Sequence, residues 1–348
     1  MSDDADGLVI RALTPDRTAE WDNFVAGCGE ATFFHRAGWQ RVIAESFGHQ
    51  THYLYAERNG GISGVLPLVH IASLLFGNSL VSNAFGVYGG PAALDAATRA
   101  SLDERAVALM RSLGADCLEY RQLVRRHLDW PCRDNLYATF RRVIDPDPDA
   151  NLKAIPRKQR AVIRQSLGRR LTIVEDRGIE RFFALYALSV RNLGTPVFAK
   201  RYFANLKREF GSDCEVLIAE HDGAPVCAVM SFYFRDEVLP YYAGAAPAAR
   251  PLGAYDSIYW HILHRAAQRG IRIFDFGRSK LGTGAFAFKK NWGFTPQPIF
   301  HEYQLKPGQA IPDINPLNPK YRLFIAAWKR LPLPIANSLG PLIARDLG

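Results

Sequence analysis

Apolar and polar residues along this chain follow two alternating periods. Over residues 38–47, Trp39, Val42, Ile43 and Phe47 recur at helical spacing, and residues 21–28 read the same way. From Tyr53 the period shortens. A strand over 53–57, the turn Arg58-Asn59-Gly60-Gly61 and an apolar strand over 62–71 predict a hairpin, because Asn-Gly supplies the left-handed residues a tight turn needs. A helix over about 96–113 then leads to a strand over 116–120.

The same order returns later in the chain. Residues 32–60 align without a gap onto 195–223, placing Phe47-Gly48 on Phe210-Gly211, Ala56-Glu57 on Ala219-Glu220, and Gly60 on Gly223. Further on, Pro91 falls on Pro247 and residues 118–120 on 274–276, the change of offset lying around 70–85 in the first hairpin. Several matches in order with one indel imply a duplicated helix–hairpin–strand–helix–strand unit. Such a unit suits a mixed α/β sheet with helices packed on it. The expected divisions are 8–150, 151–305 and a basic, proline-rich, apolar extension over 306–348.

Composition narrows the class. With 48% hydrophobic and 22% charged residues the chain is an ordinary globular one, not a disordered one. A net charge of +9 favours anionic partners, although many arginines alone would give the same sum. Five cysteines without a CxxC pair fit neither a disulfide framework nor a zinc site, and agree with a reducing cytoplasm. The acidic N-terminus lacks the apolar core of a signal peptide, and no apolar run reaches the roughly 18 residues of a membrane span.

Candidate chemistry gathers in residues 271–294, IRIFDFGRSKLGTGAFAFKKNWGF. Alternation sets Asp275 on one face with Ile271 and Ile273, so its carboxylate must be paired or shifted in pKa. Arg278, Ser279, Lys289 and Lys290 follow. If 286–290 is a strand, only one lysine faces the site. Asp275 either orients an amine or bonds the turn. The first copy keeps the strand and its acid, Glu119, but lacks GRSKLGTG and the lysine pair, so the second copy is expected to hold the chemistry. Tyr241 and Tyr242 close a strand nearby and either bind substrate or pack. Arg191, Asn192 and Lys200 flank the break Gly194-Thr195-Pro196 and either bind an acidic group or cap the helix. A helix from Pro156 bears Arg157, Lys158, Arg160, Arg164, Arg169 and Arg170, a candidate surface for a phosphate-rich partner or a solvated bridge. No GxSxG or HExxH occurs, and His261 and His264 have no acidic partner in a ligand motif, so no metal is expected.

Two resemblances add to this. Arg250, Gly253 and Ala254 resemble the R-x-x-G-x-A/G loop with which acetyltransferases of the GNAT class cradle a cofactor pyrophosphate, except that Tyr255 stands at the sixth position. On residues 33–43, 51–68, 155–164, 189–198, 274–279, 288–294 and 313–322, nearly the whole chain resembles the FemAB/BioF2-like acyltransferase family, and closely the FemAB-type proteins associated with the exosortase (PEP-CTERM) system. The resemblance implies two tandem GNAT-like domains and acyl or aminoacyl transfer to an amine of an envelope or exopolysaccharide precursor.

The expected site is therefore catalytic Asp275, Arg278, Ser279 and Lys289. Trp292 joins Lys290, the tyrosines, Arg191, Asn192, Lys200 and the basic helix in substrate binding. No cofactor is expected to be tightly bound; the co-substrate is aminoacyl-tRNA or acyl-CoA. The acceptor is an anionic small molecule or lipid-linked glycan, with tRNA a further partner. An enzyme using CoA and a non-catalytic binding protein are the alternatives. The expected location is cytoplasmic. The segment 320–331, with Leu323, Phe324, Ala327, Trp328 and Leu331 on one side and basic residues around it, either meets the inner membrane face peripherally or packs on its own domain.

Overall fold

The computed structural model describes residues 7–73, 76–312 and 322–348. Two compact units emerge: residues 7–134, 299–312 and 345–348 form one, residues 135–298 and 322–344 the other. The first begins with β1 (Val9–Ala12), α1 (Thr18–Gly27) and α2 (Gly38–Phe47). β2 (Gln50–Arg58), β3 (Gly61–Ser73) and β4 (Gly77–Ser82) then run as a meander. Asn59 and Gly60 adopt φ of 53° and 80° at its first turn, as Asn-Gly predicts. β5 (Ala92–Ala93), α3 (Ala96–Ser112), β6 (Cys117–Gln122) and β7 (Cys132–Arg133) follow.

In the second unit β8 (Tyr137–Thr139), β9 (Arg141–Val143), α4 (Pro148–Ala154) and α5 (Arg157–Leu167) lead to β10 (Leu171–Glu175). Next come α6 (Glu180–Leu193), α7 (Lys200–Phe210) and the meander β11 (Cys214–His221), β12 (Ala224–Phe234), β13 (Glu237–Ala245). α8 (Ala249–Leu252) and α9 (Ala254–Gln268) precede β14 (Ile273–Asp275), β15 (Ser279–Lys280), α10 (Gly284–Asn291) and β16 (Gln297–Pro298). β17 (Phe300–Leu305), α11 (Arg322–Trp328) and α12 (Leu333–Ala344) follow.

The sheets repeat one design. The first runs β1-β2-β3-β4-β6-β17-β7 with β5 against β3; the second runs β10-β11-β12-β13-β14-β9. Each is antiparallel until its one parallel pair, β4 with β6 and β13 with β14. The strand beyond that pair is exchanged. β17, which follows the second copy, pairs β6 from Phe300–Gln122 to Leu305–Cys117, while β9, which follows the first, pairs β14. Residues 135–150 therefore join the second unit and 299–305 the first, unlike the expected divisions at 150 and 305, because ladder hydrogen bonds are satisfied across the repeat.

Both sheets bury apolar side chains on two faces. In the first, Leu54, Leu66, Leu80 and Leu118 meet Leu102, Ala106 and Met110 of α3. In the second, Leu217, Val229 and Phe274 meet Ile258, Ile262 and Leu263 of α9, and Tyr242 packs edge-on against Tyr186 of α6 and Phe203 of α7. α6 lies so close to β13 that a Cβ on Gly244 would stand 2.4 Å from the Tyr186 Cα. Gly244→Ala is therefore expected to lower the unfolding free energy by about 1–3 kcal/mol, measured by urea denaturation. An unchanged midpoint would mean that α6 can step back without loss.

Candidate active site

The turn after β14 is built around two buried charges. Asp275 is fully buried: Thr139 Oγ1 and the Gly277 N–H donate to its Oδ1 at 3.1 and 2.7 Å, and Arg141 Nε pairs with Oδ2 at 3.1 Å. Arg141 also pairs with Glu237. Burial, then the Asp275 charge, push the Glu237 carboxyl upward. Opposite, Lys289 Nζ donates to the carbonyls of Phe276, Gly277 and Arg278 at 2.6, 2.9 and 3.1 Å. Burial pushes its pKa down to about 7 while the Asp275 charge pulls it up. Three carbonyl acceptors match the three donors of an ammonium, which favours the charged form.

These contacts revise the expected roles. Residues 284–291 form a helix instead of a strand, because Thr283 caps it by accepting the Phe286 N–H at 3.3 Å. Helical spacing then turns Lys289 inward and leaves Lys290 exposed. Asp275 and Lys289 hold the turn in place and touch no open space. Arg278, half-buried over the Tyr137 ring at 5.0 Å, and Ser279, whose buried Oγ has no hydrogen-bond partner among the described residues, are the turn's remaining polar groups. Trp292 is wholly buried and donates to Asp256 at 3.0 Å, so it belongs to the core and not to a substrate surface.

Beside this turn the parallel pair separates. Its last paired residues are Val238 and Phe274, yet β13 runs on to Ala245. Beyond Val238, β13 is laddered only to β12 among the described residues. Tyr241 is half-exposed on this stretch. Tyr242 is buried and shares a hydrogen bond with the Tyr202 hydroxyl at 2.9 Å, so of the two only Tyr241 is placed to meet a ligand.

The cofactor-like loop is arranged differently from a phosphate cradle. Gly253 is left-handed at φ 63°, and a Cβ there would stand 2.9 Å from the Ser166 side chain of α5. Asp256, in the first turn of α9, takes hydrogen bonds from Gln159 of α5 and from Trp292, and burial raises its carboxyl pKa. A helix laid against the turn and a carboxylate within it do not fit a pyrophosphate at Arg250–Ala254. Only Ile163 and Ser166 of α5 are buried; Arg157, Lys158 and Arg164 face solvent, and Arg160 donates to the Ile155 carbonyl at 3.2 Å. Arg191 donates to the Lys329 carbonyl at 3.2 Å and Lys200 pairs with Glu180 at 3.0 Å, while Asn192 is exposed at the helix end. Arg191 thus ties residue 329 to the helix end beside the left-handed cap Gly194.

The first unit carries a pocket that the sequence reading passed over. Thr32, His35, Tyr88, Arg121, Gln122 and Arg126 are among its lining. Here the wedge beyond the parallel pair is closed: the loop after β4 folds back and the Gly89 N–H donates to the Arg121 carbonyl at 2.7 Å. Its cations are balanced, Arg121 by Glu119 and Arg126 by Glu30, each at 2.8 Å. The rim is fixed by buried Glu302, which accepts from Gln122 and from the N–H groups of Arg126 and His127. His127 lies between Glu302 and Asp103 at 3.0 and 2.9 Å. The signal for this site was the Phe33-Phe34-His35-Arg36 run, present only in the first copy.

Two expectations follow from these geometries. Burial disfavours the His127 imidazolium, but the Asp103 and Glu302 carboxylates outweigh it and hold the pKa up at about 9. Its stabilisation is full below the ordinary value of 6.5 and is lost as pH rises to about 9. Stability measured across that window should fall by ~2 kcal/mol more than in His127→Gln; parallel curves would remove this role. Lys289→Met, which leaves three carbonyls without their donor, should cost about 1–3 kcal/mol, against less than about 0.5 kcal/mol for exposed Lys290→Met.

A family model described as an acetyltransferase (GNAT) domain matches residues 151–290. No curated protein matches the chain by sequence. Among solved structures, the chain is similar to FemX, with a TM-score of 0.68 at 15% identity over 84% of this chain and 96% of that one. A tandem GNAT protein from the clavulanic acid biosynthesis pathway is similar with a TM-score of 0.55 at 14% identity, covering 87% of this chain and 100% of the other. The C-terminal domain of a putative lysylphosphatidylglycerol synthetase from Agrobacterium fabrum gives 0.54 at 14% identity, covering 84% and 92%. The chain thus has a mixed α/β fold of the tandem GNAT type.

Proposed function

We propose that this chain is an acyltransferase whose second unit holds the acyl donor along the open edge of β13 and passes the acyl group to an amine. The observation that carries this reading is the parting of β13 from β14 beyond Val238 and Phe274. A strand edge without a neighbouring strand can take an extended acyl chain alongside it and fix its carbonyl for attack. The amine nitrogen attacks the acyl carbon, the bond from that carbon to the donor's leaving atom breaks, and the proton shed by nitrogen ends on the leaving atom. Tyr241 is the half-exposed group placed to relay that proton, and Arg278, on the turn clamped by Asp275 and Lys289, is placed to bind developing negative charge.

The packing of α5 on Gly253 favours an aminoacyl ester, such as aminoacyl-tRNA, over a CoA thioester that needs a pyrophosphate cradle at that turn. The exposed Arg157, Lys158 and Arg164 suit a polyanionic donor. The acceptor follows from the family resemblance: an amine on an envelope glycan precursor, in the setting of exosortase-associated proteins.

The test offers the purified chain aminoacyl-tRNA or acetyl-CoA together with amine-bearing nucleotide sugars and lipid-linked glycans, and reads products by mass spectrometry. Transfer from aminoacyl-tRNA is expected. Arg278→Ala and Tyr241→Phe should each lower kcat/KM about tenfold to a hundredfold without moving the melting temperature. Full activity in both variants would place the chemistry elsewhere. Acceptor binding without transfer from either donor would make this a binding protein.

A further inference from the structure

The last two helices leave bulky apolar side chains facing solvent, and α12 packs inward through small residues. α12 lies against α6 through Ala336, Gly340 and Ala344, all buried. At Gly340 an added Cβ would stand 2.8 Å from the Val197 N. The opposite side presents Ile335, Leu339 and Leu342, between 44% and 66% exposed. α11 behaves alike. Ile325 presses on Gly194 and Trp328 is buried, while Leu323 is 85% and Phe324 40% exposed. Leu193, next to Gly194, is exposed as well. A helix recruited only to cover its own unit would turn its bulky aliphatics inward, since each would gain by leaving water.

Charge identifies what meets this surface. Arg322, Lys329 and Arg330 are exposed, and residues 322–344 contain no Asp or Glu. Neither helix is long and apolar enough to cross a membrane. Exposed aliphatics beside basic, acid-free polar positions are the pattern of helices that lie in the headgroup region of an anionic bilayer. A twofold contact with a second copy would instead set the same cations against each other.

We propose that α11 and α12 form a membrane-docking face that binds anionic phospholipid, with Leu323, Phe324, Ile335, Leu339 and Leu342 entering the interface and Arg322, Lys329 and Arg330 meeting the headgroups. The inference does not depend on the transfer reaction. It extends the docking stretch expected at 320–331 into α12; Lys320 and Tyr321 lie outside the described residues.

Flotation of the full chain with phosphatidylcholine vesicles, with and without phosphatidylglycerol, tests it. Binding is expected only with phosphatidylglycerol and should weaken as salt rises. Leu339→Glu and Leu342→Glu should each reduce partitioning about tenfold or more, and Lys329→Glu with Arg330→Glu should reduce it and flatten the salt dependence, all with unchanged melting temperatures. Equal binding by the variants and the parent would overturn the proposal. So would absence of vesicle binding, including the case in which light scattering finds a dimer that Leu339→Glu converts to monomer.

Discussion

In the second unit a short turn depends on a buried ammonium, Lys289, and a fully buried carboxylate, Asp275. Lys289 ties together three successive carbonyls of the turn, and Asp275 takes up the Gly277 N–H inside it. Each charge comes from an element that something else must hold: α10 is capped by Thr283, and Arg141 on β9 neutralises Asp275. The turn settles where β14 stops, and with it where β13 loses its neighbour. Removing Lys289 would strip three buried carbonyls of their donor, and removing Arg141 would leave Asp275 buried without its cation.

Duplication has left two versions of one sheet with opposite fates at the same place. Beyond the parallel pair of the first unit, the chain itself fills the wedge through the Gly89 hydrogen bond to Arg121. Beyond that of the second, no further strand among the described residues ladders onto β13 on that side. Backbone donors and acceptors seek partners wherever they are found, and the first copy satisfies them through its own loop. The same sheet then supports a polar pocket in one copy and a parted strand pair in the other.

Positive charge is distributed just as unevenly. Arg191, Lys200 and Arg160 are tied to carbonyls or acids of their own unit, whereas Arg157, Lys158 and Arg164 project into solvent from a helix that buries little more than Ile163 and Ser166. A net charge of +9 therefore says less about partners than the few cations left facing outward.

Much of the fold was legible in the sequence. The hairpin at Asn59-Gly60, the helix over 38–47 and the repeat itself follow from local periodicity and turn chemistry, which act between residues near in the chain. The site was legible only as a region. Within residues 271–294 the pattern Phe286, Phe288, Lys290 reads equally as strand or helix when it is this short, and the cap at Thr283 decided for helix. That choice exchanged the roles of Lys289 and Lys290. The strand exchange of β9 and β17, the covering of Gly253 by α5 and the pocket beside His35 lay beyond any local signal. The sequence by itself determined which elements form and that they form twice. Which polar groups remain available for a ligand was decided only by tertiary structure, because a buried donor or acceptor is claimed by whatever the fold brings within 3 Å of it, and those neighbours come from distant parts of the chain.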